Sequence, residues 1–167
     1  IDTIVQGDTA QLTIKPLSAK QGIGTVRMEY TIIVPHGLSL AVDLHRSTVE
    51  FEQVNSDIQL DVKYGVATGR GLYGDLTGSI SFSTFELSEL LGAVDLETAY
   101  SNLELDLVDS PEGYHFDVET AFGMVGGVVP LEMKQEEEKM IMQGNVGEGQ
   151  NPVIIRSRFG NVMLNLE

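Results

Sequence analysis

The chain repeats itself at a short fixed interval. Tyr64, Phe82 and Tyr100 stand 18 residues apart, each followed by a small residue: Gly65, Ser83 and Ser101. The register runs 18 residues back to Arg46-Ser47, 22 forward to Phe122-Gly123, and a further 37 to Phe159-Gly160. A period this short admits few folds, because one repeat cannot bury its apolar face alone and has to stack on others.

With the aromatic position as zero, the six repeats read in parallel. Position minus six is apolar throughout: Leu40, Ile58, Leu76, Val94, Phe116 and Val153. Position minus four holds Val42, Leu60, Gly78, Leu96, Val118 and Ile155, and position plus three holds Val49, Ala67, Phe85, Leu103, Val125 and Val162. Polar residues lie between them, with Asp43, Asp61, Ser79, Glu97 and Glu119 all at minus three. Period-two alternation, a small residue, then a second alternating run describes two strands joined by a tight corner. The expected fold is all-β: a single parallel β-solenoid of 18-residue coils, each strand pairing with its counterpart in the next coil. The crossover rule favours the right-handed form. Helix propensity between Phe85 and Val108 is high, but equivalent positions elsewhere carry Val, Ile, Thr and Gly, which argues for strand. A left-handed hexapeptide helix would need an apolar residue every sixth position, and the spacing does not supply it.

Before the repeat, Ala10 to Leu17 and Thr25 to Val34 read as strands separated by a turn at Ser18 to Gly24. They are expected to form an antiparallel pair capping the first coil, since an uncovered solenoid end is an open sheet edge. Val34-Pro35-His36-Gly37 then turns the chain into the repeat. The four extra residues between Tyr100 and Phe122 fit the turn Asp109-Ser110-Pro111-Glu112-Gly113. The gap of 37 between Phe122 and Phe159 is close to two coils, and Met140-Ile141-Met142 is the only apolar core of the middle one. Pro130 to Gln143 therefore reads as a projecting hairpin tipped by Lys134 to Lys139, or as a loosely packed coil. The domain divides into capping strands (1–37), regular coils (38–129), an irregular excursion (130–151) and a final coil (152–167).

At 167 residues and 18.2 kDa the chain is one domain's worth. No apolar run approaches the roughly 18 residues of a membrane helix, so no membrane insertion is expected. Nothing in the chain reads as a signal peptide, and the start at Ile1 without Met leads to the expectation that whatever came first was removed. Without cysteine there is no disulfide framework and no thiolate ligand or nucleophile. The net charge of −15, from 25 acidic and 10 basic residues, would be repelled by phosphate backbones and anionic lipid, which excludes nucleic acid as a partner. Solubility is the plain account of that charge; cation binding and a basic partner are the alternatives.

These segments together resemble a family. Val34-Pro35-His36-Gly37, the pairs Tyr64-Gly65, Tyr100-Ser101, Phe122-Gly123 and Phe159-Gly160, and Gly144-Asn145-Val146-Gly147-Glu148-Gly149 before Arg158-Phe159-Gly160-Asn161-Val162 are similar to the adhesin-type β-solenoid domain of bacteria, from Thr25 to Glu167. Arg46 departs from the pattern, standing where the other coils carry an aromatic. The resemblance implies a cell-envelope or extracellular protein whose partner is a protein or glycan at the cell surface. It carries over no catalytic or ligand residues.

Few motifs point to chemistry. Gly69-Arg70-Gly71-Leu72-Tyr73-Gly74 fits the dinucleotide fingerprint, but that fingerprint needs a helix at its end, and Asp75 to Phe85 reads as a strand. His36, His45 and His115 have no partner at ligand spacing, and no serine sits in a Gly-x-Ser-x-Gly elbow. The aromatics at zero suit a corner ladder better than a carbohydrate platform. A glycosidase would need a marked carboxylate pair, and none stands out. One acidic constellation does. Asp95 and Glu97 in the fourth coil and Asp117 and Glu119 in the fifth occupy the same outward positions. Adjacent parallel strands lie about 4.8 Å apart and residues two apart along a strand about 6.6 Å, so these four carboxylates are expected to form a small rectangle. A hard divalent cation such as calcium suits such a site; the alternative is a solvated acidic face. The expected function is a non-enzymatic envelope or secreted interaction module. The alternatives are a carbohydrate-binding or carbohydrate-active β-helix, and a structural spacer.

Overall fold

The structure, a computed structural model, describes the backbone of residues 2–6 and 9–13 and, with side chains, residues 35 and 37–167. The chain is all-β, with no helix among the described residues and two mostly parallel sheets. From Ser39 to Gly126 it alternates between them. One sheet takes β3 (Ser39–His45), β5 (Ile58–Lys63), β7 (Leu76–Ser81) and β9 (Val94–Ala99). The other takes β4 (Thr48–Val54), β6 (Val66–Tyr73), β8 (Thr84–Leu91) and β10 (Asn102–Leu107). The period-two pattern places alternate side chains inward, and the inner faces of both sheets form one core. Leu60, Gly78 and Leu96 stand in one row, paired across β5, β7 and β9. The segment with high helix propensity is β8 through β10, where packing of the repeat overrides local preference.

β1 (Asp2–Gln6) and β2 (Thr9–Thr13) form an antiparallel pair, and β2 continues the first sheet in parallel with β3. An antiparallel pair thus borders the first repeat, but it is not the pair expected from Ala10 to Leu17 and Thr25 to Val34. The strand expected over Thr25 to Val34 lies outside the described residues.

The second half departs from sequence order. β11 (Tyr114–Ala121) and β12 (Met124–Gly126) do not pair with β9 and β10. The last two strands, β15 (Asn151–Arg158) and β16 (Asn161–Leu166), lie between them. β15 pairs in parallel with β9 on one side and β11 on the other, and β16 likewise with β10 and β12. This corrects the expectation that each coil stacks on the next in sequence.

The physical reason lies in the connection from β10 to β11. It must reach across a place two strand spacings wide, about 9.6 Å rather than 4.8 Å, and the four extra residues before Gly113 supply the reach. Tyr114 pegs that connection. Its side chain is buried, and its hydroxyl donates to the Val108 carbonyl at 2.8 Å. Burial, with Asp109 and Glu112 nearby, pushes the phenol up to about 12, so it stays a donor.

Between β12 and β15 in the chain, β13 (Met133–Glu136) and β14 (Lys139–Val146) form an antiparallel hairpin. β14 lies along β11 from Ala121 to Tyr114, with Met142 buried beneath it. The hairpin is therefore the edge of the first sheet rather than a free projection.

Across β9, β15 and β11, Thr98, Ser157 and Thr120 form a buried row. Thr120 donates to the Gly160 carbonyl at 3.2 Å, whereas the Thr98 and Ser157 hydroxyls have no partner. A buried unpaired hydroxyl costs about 1–3 kcal/mol. Thr98→Val combined with Ser157→Ala is accordingly expected to raise the melting temperature by several degrees, at about 2–4 °C per kcal/mol for a chain of this size. Calorimetry checks this; a lowered melting temperature would mean that those hydroxyls are satisfied in solution.

Candidate functional site

The most regular side-chain array is the aromatic corner. Tyr64, Phe82, Tyr100, Phe159 and Phe122 stack in that order, with ring centroids 4.7–5.0 Å apart and planes within 18° of parallel. That spacing is the strand spacing, so the corner register imposes the stack. Every one of these residues has φ between 52° and 58°, the left-handed conformation that costs a side chain about 1–2 kcal/mol. Each stacked contact returns about 0.5–1.5 kcal/mol.

Arg46 continues the left-handed column at 53° and places its guanidinium 5.9 Å from the Tyr64 ring centre, where Lys63 also lies at 5.7 Å. The first repeat thus closes the stack with a cation in place of a ring.

The small residue after each aromatic has its own cause. A Cβ on Gly160 would fall 2.0 Å from the Ser101 carbonyl oxygen, and one on Gly123 would fall 1.8 Å from that of Gly160. Where serine takes the position, its hydroxyl joins a second ladder: Ser83 Oγ accepts from the Gly65 N–H at 3.0 Å, and Ser101 Oγ from the Ser83 N–H at 3.1 Å.

The rings are 40–52% exposed, but stacking covers both faces of Phe82, Tyr100 and Phe159 and one face of each end ring, Tyr64 and Phe122. A sugar platform needs free faces. The ladder is therefore corner reinforcement, and its energetics can be tested. Phe159 is sandwiched between Tyr100 and Phe122, so Phe159→Ala should cost at least about 1–3 kcal/mol for the two contacts. Phe159→Gly should be milder by about 1 kcal/mol, because glycine tolerates the left-handed corner. Urea denaturation of both variants checks this; equal midpoints would show that backbone strain is absent.

The four carboxylates of the expected rectangle are not brought together. Asp95 and Glu97 lie on β9, Asp117 and Glu119 on β11, and β15 separates them. Asp95 and Asp117 both oppose Ile154, and Glu97 and Glu119 both oppose Arg156. Arg156 bonds the Asp117 carboxylate and donates to its carbonyl oxygen at 2.6 Å. The Gln143 side-chain amide donates to the other Asp117 carboxylate oxygen at 2.8 Å. These two donors, Arg156 first, hold the Asp117 carboxyl below the usual carboxylate range. Glu119 pairs with Lys139 at 2.7 Å. A cationic strand has taken the place that a divalent ion was expected to fill. Among the described residues no group of three or more histidine and acidic side chains is placed to hold a metal ion.

Other candidates resolve into structure. Gly69 to Gly74 runs through β6 and its corner; Gly71 adopts φ 74°, and Arg70 pairs with Glu89 at 2.6 Å. His45 meets the edge of Tyr64, and His115 bonds Asn145 at 2.5 Å. His36 lies outside the described residues.

Two open hollows, of about 300 and 570 Å³, mark the described surface. The first contains Asp57 and Asp75, whose carboxylates accept backbone N–H bonds from Asp75 at 3.0 Å and Ala93 at 2.9 Å, a third ladder at the opposite corner. The second lies between Asp109, Pro130 and Glu167. Sequence reasoning missed Arg156, although its sign reversal at the otherwise acidic or polar minus-three position was visible. No helix among the described residues is long and apolar enough to cross a membrane. Comparison with protein-family models, with curated proteins and with solved structures finds no match to this chain.

Proposed function

We propose that the chain is a right-handed parallel β-solenoid of about 18 residues per coil, capped by the β1–β2 pair, and that it acts as a non-enzymatic adhesive module of a bacterial envelope or secreted protein. Row pairing at that interval and the crossover rule support the solenoid. One observation carries the functional reading. The recurring side chains at the corners are consumed by ladders between neighbouring coils, leaving the polar outer faces of the sheets as the surface on offer. A polar face of this kind suits contact with a protein spread over several coils.

The carbohydrate reading is weakened by the covered ring faces, and the spacer reading differs only in lacking a partner. Beads coated with the protein should adhere to cell surfaces in a manner lost when those surfaces are treated with protease and unaffected by free sugars. Saturable binding on a glycan array, or hydrolysis of a polysaccharide, would overturn the proposal. Absence of any adhesion would favour the spacer.

A further inference from the structure

We infer that the place between β9–β10 and β11–β12 also accepts the β15–β16 segment of a second copy of this chain, giving a strand-exchanged dimer. The segment makes its ladder contacts with strands far away in sequence. It is tied to the preceding hairpin by residues 147–150, a mostly exposed link in which Gly147 and Gly149 adopt φ of 66° and 71°. Rotation at these two glycines can redirect the segment without touching a paired strand.

The place is shaped and charged for this occupant. Its two flanking strands carry Asp95, Glu97, Asp117 and Glu119, and β15 brings Arg156 and Arg158 with no acidic residue, in a chain of net charge −15. The Phe159 ring fits between Tyr100 and Phe122, and Gly160 fits beneath the Ser101 carbonyl where a Cβ would clash. A second copy meets every one of these requirements, and the exchanged form keeps every contact except those of the hinge.

The closed form wins by local concentration, which for a short linker is of millimolar order. Dimer should therefore form when chains fold together at about 0.1–1 mM, its ratio to monomer rising about tenfold for each tenfold rise in concentration.

The absence of native cysteine permits a direct test on the full chain. Asn102 and Asn161 oppose each other on β10 and β16, their side chains 3.2 Å apart. Asn102→Cys and Asn161→Cys chains, unfolded together, refolded at about 1 mM and treated with a short bis-maleimide, should give a covalent dimer. Glu50→Cys in place of Asn102→Cys, on an exposed site at the far end of the sheet, should give none. Removing Glu148 and Gly149 to shorten the hinge should raise the dimer fraction on size exclusion. If co-refolding yields no cross-link, or the Glu50 control cross-links equally, the inference is overturned, whether or not the shortened chain folds.

Discussion

A chain ended at Gln150 is expected to lose cooperative folding altogether. The deleted segment contributes Val153, Ile155, Val162 and Leu164, each fully buried. At about 1.5–3 kcal/mol per buried side chain, four such residues amount to roughly 6–12 kcal/mol, comparable with the whole stability of about 5–15 kcal/mol for a typical domain. Removal also leaves β9, β10, β11 and β12 facing an empty place two strand spacings wide. In an array stacked in sequence order the last repeat is an end, and its loss leaves the others intact. Thermal melting followed by circular dichroism separates the two cases. The inserted arrangement predicts no cooperative transition, and a transition close to that of the full chain contradicts it.

Leu96→Asp should be nearly as damaging. Leu96 is fully buried on β9, between Gly78 and Ile155 in the central row, with no cation beside it. An ionised carboxylate there is unpaired and costs several kcal/mol, whether it remains charged or takes up a proton to avoid the charge. The neighbouring change Glu97→Gln, on the outward face, should stay within about 0.5 kcal/mol. Urea midpoints measured side by side give the comparison, and a Leu96→Asp midpoint matching the parent would remove Leu96 from the core.

The local geometry of this protein was legible because each repeat states it again. Inward rows, corners and the small residue after each aromatic all follow from residues 18 apart, and the structure pairs Ile58, Leu76 and Val94 as that interval requires. The order of the stack was less legible. A gap of 22 between Tyr100 and Phe122 accommodates either a longer loop between adjacent strands or a reach across a vacant place, and strand pattern alone does not distinguish them.

The distinguishing signal was electrostatic. Arg156 stands at a position that is acidic or polar in the other repeats, so the last strand is the one that relieves repulsion when placed between β9 and β11. Reading adjacency from sequence order produced the four-carboxylate site, and reading charge would have dissolved it. Met140 to Met142 carried too little periodicity to reveal that β14 runs antiparallel along β11, because Met142 is the one fully buried side chain by which this strand docks.

The position of the last two strands is the claim on which the rest depends, and nuclear Overhauser contacts between backbone protons of neighbouring strands test it most directly. The structure predicts cross-strand contacts from Leu96 to Ile155 and from Ile155 to Val118, with none from Leu96 to Val118. Direct contacts between Leu96 and Val118 would place β11 beside β9, restore sequence order, and contradict the inserted arrangement.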